Sequence, residues 1–177
     1  MKRLATAFAG VVAAGALVAS PVAHGAADNA DASFPLPDGT TLETHTTANC
    51  VSADKQCYFT ASADRNVGGG IQGFPDGLWA RQTTTIRSSN RMVNQETQVV
   101  ADNTRVFKEG WKREITTIYF GGGPPEKYRI TGTTQPINWQ TGQPELDSDY
   151  IVCTFIQVVY PGVNITSPQT CAQTTFS

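Results

Sequence analysis

Tyr150-Ile151-Val152-Cys153-Thr154-Phe155-Ile156-Gln157-Val158-Val159-Tyr160 is the most informative stretch of the chain. β-Branched and aromatic side chains dominate it, and they favour extended backbone over helix. Apolar residues fall on both alternating faces, so a strand here needs cover on both sides and belongs at the centre of a sheet. The neighbouring pattern at 56–63 is different. Cys57, Phe59, Ala61 and Ala63 alternate with Gln56, Tyr58, Thr60 and Ser62, as in a strand with one buried and one wetter face.

Outward from these two runs the chain switches between segments rich in Thr, Val, Ile, Tyr and Phe and clusters of Gly, Pro, Asn, Asp and Ser. That punctuation predicts strands near 42–48, 56–63, 78–87, 91–100, 111–120, 127–133 and 150–160, with Ser88-Ser89-Asn90 as a hairpin turn. No stretch long enough for a stable helix keeps three-and-four apolar spacing without a Gly, Pro or β-branched cluster inside it. The expected class is all-β: an antiparallel β-sandwich or small barrel of about seven to eight strands, stapled by disulfides. Sandwich and barrel are not distinguished at this level, and no internal repeat is present.

Residues 1–25 have the layout of a secretory signal peptide. Lys2 and Arg3 precede an almost wholly apolar or small run at 4–19, and Ser20-Pro21 breaks it. Small residues before a cut are offered by Ala23-His24-Gly25 and by Gly25-Ala26-Ala27. The apolar run is shorter than the roughly 20 residues that cross a bilayer, and the first cysteine, Cys50, is too distant to carry a lipid anchor. The expectation is a cleaved, secreted protein of the extracellular space or cell envelope, with no transmembrane segment in the mature chain. Residues 26–41 are small, acidic and proline-bearing, an extended or disordered leader. A single β domain is then expected over 42–177.

Cys50, Cys57, Cys153 and Cys171 are an even set, which in an exported domain reads as two disulfides. Of the three pairings that four cysteines allow, Cys50 with Cys57 and Cys153 with Cys171 is preferred. The polar turn at 51–56 already brings the first two together, and the second bridge would tie the polar tail to the central strand. The rival pairing joins the two chain ends. Spacings of this kind do not suit structural zinc. The chain is mildly acidic, with net charge −2, so nucleic acid is not an expected partner.

No set of catalytic residues, metal ligands or cofactor-binding residues stands out. Gly68-Gly69-Gly70-Ile71-Gln72-Gly73 has dinucleotide-loop spacing but lacks the flanking strand and helix, and reads as a surface loop. His45 lies on the outward side of the first expected strand with Glu43 and Thr47, and no nucleophile elbow accompanies it. Glu145, Asp147 and Asp149 lack the rest of a calcium loop. Asn164-Ile165-Thr166 matches the N-glycosylation pattern. The binding candidates are Trp139, in the polar loop 138–143, Trp79, and Pro124 and Pro125 of the stiff connection Gly121-Gly122-Gly123-Pro124-Pro125-Glu126.

Four stretches give the chain a resemblance to small exported proteins of unknown function from mycobacteria and related actinobacteria. They are 50–57; Gly73-Phe74-Pro75-Asp76-Gly77-Leu78-Trp79-Ala80-Arg81-Gln82-Thr83-Thr84-Thr85; Thr117-Ile118-Tyr119-Phe120-Gly121-Gly122-Gly123-Pro124-Pro125-Glu126-Lys127; and the ending Ser167-Pro168-Gln169-Thr170-Cys171-Ala172-Gln173-Thr174-Thr175-Phe176. The resemblance implies an envelope or extracellular location and brings no catalytic residues with it. The resulting expectation is a non-catalytic exported protein that binds a protein, glycan or lipid partner through loops on a β scaffold. Its alternative is a secreted hydrolase that acts on envelope sugars through acidic residues.

Overall fold

A computed structural model describes residues 27–177; the signal-like segment 1–25 lies outside the described residues. Twelve strands follow in chain order: β1 (Asp28–Pro35), β2 (Thr41–Val51), β3 (Gln56–Val67), β4 (Gly70–Gln72), β5 (Trp79–Arg87), β6 (Val93–Val100), β7 (Thr104–Glu109), β8 (Lys112–Phe120), β9 (Arg129–Asn138), β10 (Asp149–Tyr160), β11 (Val163–Thr166) and β12 (Thr170–Thr175). A 3-10 turn, Pro125–Tyr128, is the one helical element among the described residues. No helix there is long and apolar enough to cross a membrane.

The strands form two antiparallel sheets. Sheet one runs β1-β2-β3-β9-β6 with β4 attached to β3, and sheet two runs β11-β10-β5-β8-β7 with β12 also pairing with β10. Neither sheet closes on itself, which makes the fold a sandwich and not a barrel. The strand count exceeds the expected seven to eight because β1, β4, β7, β11 and β12 are peripheral strands held mainly by backbone pairing. Their own sequences carry too little apolar surface to announce them.

The clearest correction concerns 26–41. From Asp28 this segment is an ordered edge strand, paired along its length with β2 from Asp28 opposite Ala48 to Pro35 opposite Thr41. Ala30, Ala32 and Phe34 point to the half-buried side and Asn29, Asp31 and Ser33 to solvent. The folded unit therefore starts well before Leu42.

β10 occupies the centre of sheet two, between β5 and the β11/β12 pair. Its inner face contributes Val152, Ile156 and Val158, while Ile151 and Cys153 are buried on the other face. The inner space holds two apolar clusters, one around Leu42, Phe74, Tyr128, Ile156 and Val163 and one around Phe59, Ile86, Ile115, Ile130 and Tyr150. Buried threonines and Gln82 also line this space, and their polar atoms find partners. Thr44 Oγ1 lies 2.7 Å from Thr170 Oγ1, Thr84 Oγ1 lies 3.0 Å from Thr154 Oγ1, and Gln82 Nε2 donates to Ala61 O at 3.1 Å. Pairing matters here, because an orphaned buried hydroxyl costs about 1–3 kcal/mol.

Disulfides join Cys50 to Cys57 and Cys153 to Cys171. In each bridge the two cysteines stand directly opposite across adjacent strands, with Cα atoms 3.9 and 4.0 Å apart. Bridges of this kind fit an oxidising compartment.

Candidate functional site

The two glycine-rich loops, which the sequence presents as separate surface connections, pack against each other. Gly123 N donates to Phe74 O at 3.1 Å, and a Cβ at Gly73 would lie 1.8 Å from Gly123 O. Only glycine permits that approach. Lys127 Nζ then donates to the carbonyls of Phe120, Gly121 and Gly122 at 2.8, 3.0 and 2.8 Å. Beneath, the Tyr128 ring meets Phe74 and Tyr119 edge-on, at centroid distances of 4.8 and 5.3 Å. Pro124 is exposed at the head of the 3-10 turn and Pro125 is its first residue. This connection is a clamped wall, built to hold its shape.

Trp139 is 54% exposed in a loop organised by Asn138, whose Oδ1 accepts from the backbone N–H groups of Gln140 and Thr141. It stands apart from both clefts described below. Trp79 is half-buried on the outer face of sheet two, directly opposite Phe120 of β8 and Val159 of β10. The acidic run before β10 is occupied by structure. Asp149 accepts from Ser88 and Ser89, and Glu145 accepts from Asn138 Nδ2 at 2.9 Å.

The first cleft lies on the outer face of sheet two beside Trp79. Alternation along β8 sends Ile115, Thr117 and Tyr119 inward and Thr116, Ile118 and Phe120 outward; β7 turns Arg105 and Phe107 to the same outer side. The β6–β7 connection, with Asn103 at φ 52°, folds over this surface and is fixed by Ile118 N–H donating to Asn103 O at 3.2 Å. The result is a cleft of about 550 Å³ that includes Asp102, Asn103, Arg105, Phe107, Ile118 and Phe120. Phe107 and Phe120 are 46% and 62% exposed, unusual for side chains with no polar atom to hydrate.

The second cleft, about 610 Å³, lies on the outer face of sheet one, with Pro125, Glu126 and Ile71 rising over His45, Asp64 and Arg129. Strand register sets its floor and the groups beside it: Asp31 of β1, His45 of β2 and Ser62 of β3 form one cross-strand row, and Glu43 pairs with Asp64 in the next, with His45, Ser62 and Asp64 lining the cleft itself. His45 Nδ1 lies 2.7 Å from Asp31 Oδ1, and Nε2 lies 3.2 Å from Asp64 Oδ2. Asp31, His45 and Ser62 have the residue types of a hydrolytic triad, but Nε2 is engaged by Asp64 and not by the serine. Asp64 is 7% exposed and its Oδ1 has no hydrogen-bond partner. Burial pushes its carboxyl up and the Glu43 charge adds to this, more than offsetting the opposing effects of His45 and Arg129.

Sequence reasoning placed His45 and Glu43 on one outward face but did not bring Asp31 or Asp64 to them, since cross-strand register is not written in either strand alone. Phe107 and Phe120 were also missed, because an outward phenylalanine looks like core until the faces are assigned. No protein-family model matches the chain, and no curated protein matches it.

Proposed function

We propose that this is a non-catalytic exported protein, of the bacterial envelope or the extracellular medium, that binds a glycan in the Phe107–Phe120 cleft. The carrying observation is the pair of exposed phenylalanine rings flanking one concave surface with Asn103, Asp102 and Arg105. Flat aromatic faces suit the C–H face of a sugar ring, and the amide, carboxylate and guanidinium suit its hydroxyls. The cleft volume falls within the roughly 300–1,000 Å³ usual for ligand sites. Glycoside hydrolysis commonly needs two flanking carboxyl groups, and Asp102 is the one carboxylate lining this cleft, which favours holding a sugar over cleaving it. Two disulfides, the signal-like residues 1–25 and the resemblance to exported actinobacterial proteins support the location.

A glycan array followed by calorimetry on the retained sugars tests this reading. Phe107→Ala and Phe120→Ala should each weaken binding by about tenfold or more, the equivalent of roughly 1.4 kcal/mol, with the fold intact by circular dichroism. Absence of any retained glycan, or binding indifferent to both changes, overturns it. Turnover of an envelope sugar that is lost in Asp64→Asn would instead establish the hydrolase alternative, acting from the other cleft.

A further inference from the structure

We propose that Glu43, His45 and Asp64 bind a divalent first-row transition ion, best matched by Zn²⁺, on the outer face of sheet one. Among the described residues their ligand atoms form a convergent group, all within 4.8 Å of one another. Convergence of acids alone would be weak ground, but a second observation points the same way. Asp64 is more than nine-tenths buried with Oδ1 unpartnered; burying a carboxylate is costly unless a proton or a cation neutralises it, and an ion held with His45 and Glu43 would do so.

The imidazole is oriented for this task. Asp31 lies 2.7 Å from His45 Nδ1; with the proton on Nδ1, Asp31 accepts it and Nε2 is the ligand atom, the ion then taking the place of the Nε2–Asp64 contact. A carboxylate on the far ring nitrogen is the usual way to fix a metal-binding histidine's tautomer and orientation. Spacing agrees as well. Zinc takes nitrogen at about 2.0–2.1 Å and carboxylate oxygen at about 2.0–2.2 Å, so tetrahedral ligand atoms stand about 3.4 Å apart. Nε2 and Asp64 Oδ2 are separated by 3.2 Å, and the orphaned Oδ1 belongs to the same carboxylate, which can bind an ion through both oxygens.

Donor chemistry selects the ion class. One imidazole with two carboxylates is a mixed nitrogen and oxygen set, whereas calcium and magnesium favour all-oxygen sites. Glu43 Oε1 already accepts from Asn66 Nδ2 at 3.1 Å, which holds one oxygen and leaves the other for the ion. Three protein ligands leave a coordination position open, and two of them, His45 and Asp64, line the cleft walled by Pro125 and Glu126.

The test is zinc titration into the purified chain, stripped with chelator, without a polyhistidine tag and with His24→Ala so that His45 is the sole imidazole. Calorimetry should show one zinc per chain. His45→Asn and Asp64→Asn should each weaken binding more than tenfold, and Asp31→Asn by about 10–100-fold as an orienting partner. Nitrogen NMR on the chain with His45 intact needs no ligand variant: zinc should shift Nε2 of His45 strongly and Nδ1 little. If no stoichiometric zinc binds, if His45→Asn leaves the affinity unchanged, or if the Nε2 resonance does not move, the proposal fails, and His45 is only an ion-paired surface side chain.

Discussion

Phe59 and Gly132 stand directly opposite each other on β3 and β9, and the phenylalanine ring fills the space where a Gly132 side chain would begin. A Cβ there would come 2.6 Å from Phe59 Cε1 and 2.4 Å from the backbone oxygen of Gln98. The ring can turn, but the carbonyl belongs to the paired strand β6. Gly132→Ala should therefore cost about 1–3 kcal/mol, as overpacking does, measured by urea denaturation. A neutral result would mean that β6 moves away easily from β9.

Asp149 ties the start of β10 to the turn after β5 and to β12. It accepts from Ser88 Oγ, Ser89 N, Ser89 Oγ and Gln173 Nε2 at 2.7, 2.8, 2.7 and 3.0 Å. Burial alone would raise its carboxyl, but the serine hydrogen bonds outweigh that and hold it below the ordinary value. A carboxyl lowered in the folded state contributes stability above its unfolded pKa and loses it as pH falls through the folded one. Asp149→Asn should lower stability at neutral pH and show a shallower loss than wild type on acidification. Parallel acid limbs in the two proteins would rule out this role.

β10 and β3 were readable in the sequence because their alternation is dense and strongly apolar. β1 was not. Ala30, Ala32 and Phe34 supply a faint alternation, and the strand persists through its full pairing with β2. The same gap hid the His45 cluster: Asp31 sat in a segment read as leader, and Asp64 needed the β2–β3 register to reach Glu43. The packing of the two glycine loops left one signal, the glycines themselves, which mark a close backbone approach without saying to what.

The disulfides close short segments, with sequence separations of 7 and 18. Chain-entropy arguments give roughly 2.5 and 3 kcal/mol respectively. Removing Cys153 and Cys171 together as alanines should lower stability by about that amount while leaving the fold intact, because β12 keeps its register with β10 from Thr170 opposite Thr154 to Thr175 opposite Asp149. Hydrogen exchange should then show β12 opening before β10. Simultaneous loss of protection in both strands would show that the tail depends on the bridge alone.

The Thr84–Thr154 pair offers a test of the polar groups inside the sandwich. Both residues are fully buried, they face each other across β5 and β10, and their hydroxyls lie 3.0 Å apart. Valine has nearly the shape of threonine, so each replacement changes chemistry far more than packing. Thr84→Val leaves the Thr154 hydroxyl without this partner, and Thr154→Val does the reverse; each should cost about 1–3 kcal/mol. Replacing both removes the pair and its desolvation together, so the double variant should lie near wild type or above it. The cycle measured by urea denaturation should therefore be strongly non-additive, with the double variant more stable than either single one. If the two single losses simply add, the hydroxyls do not depend on each other, and the threonines are there for strand propensity alone.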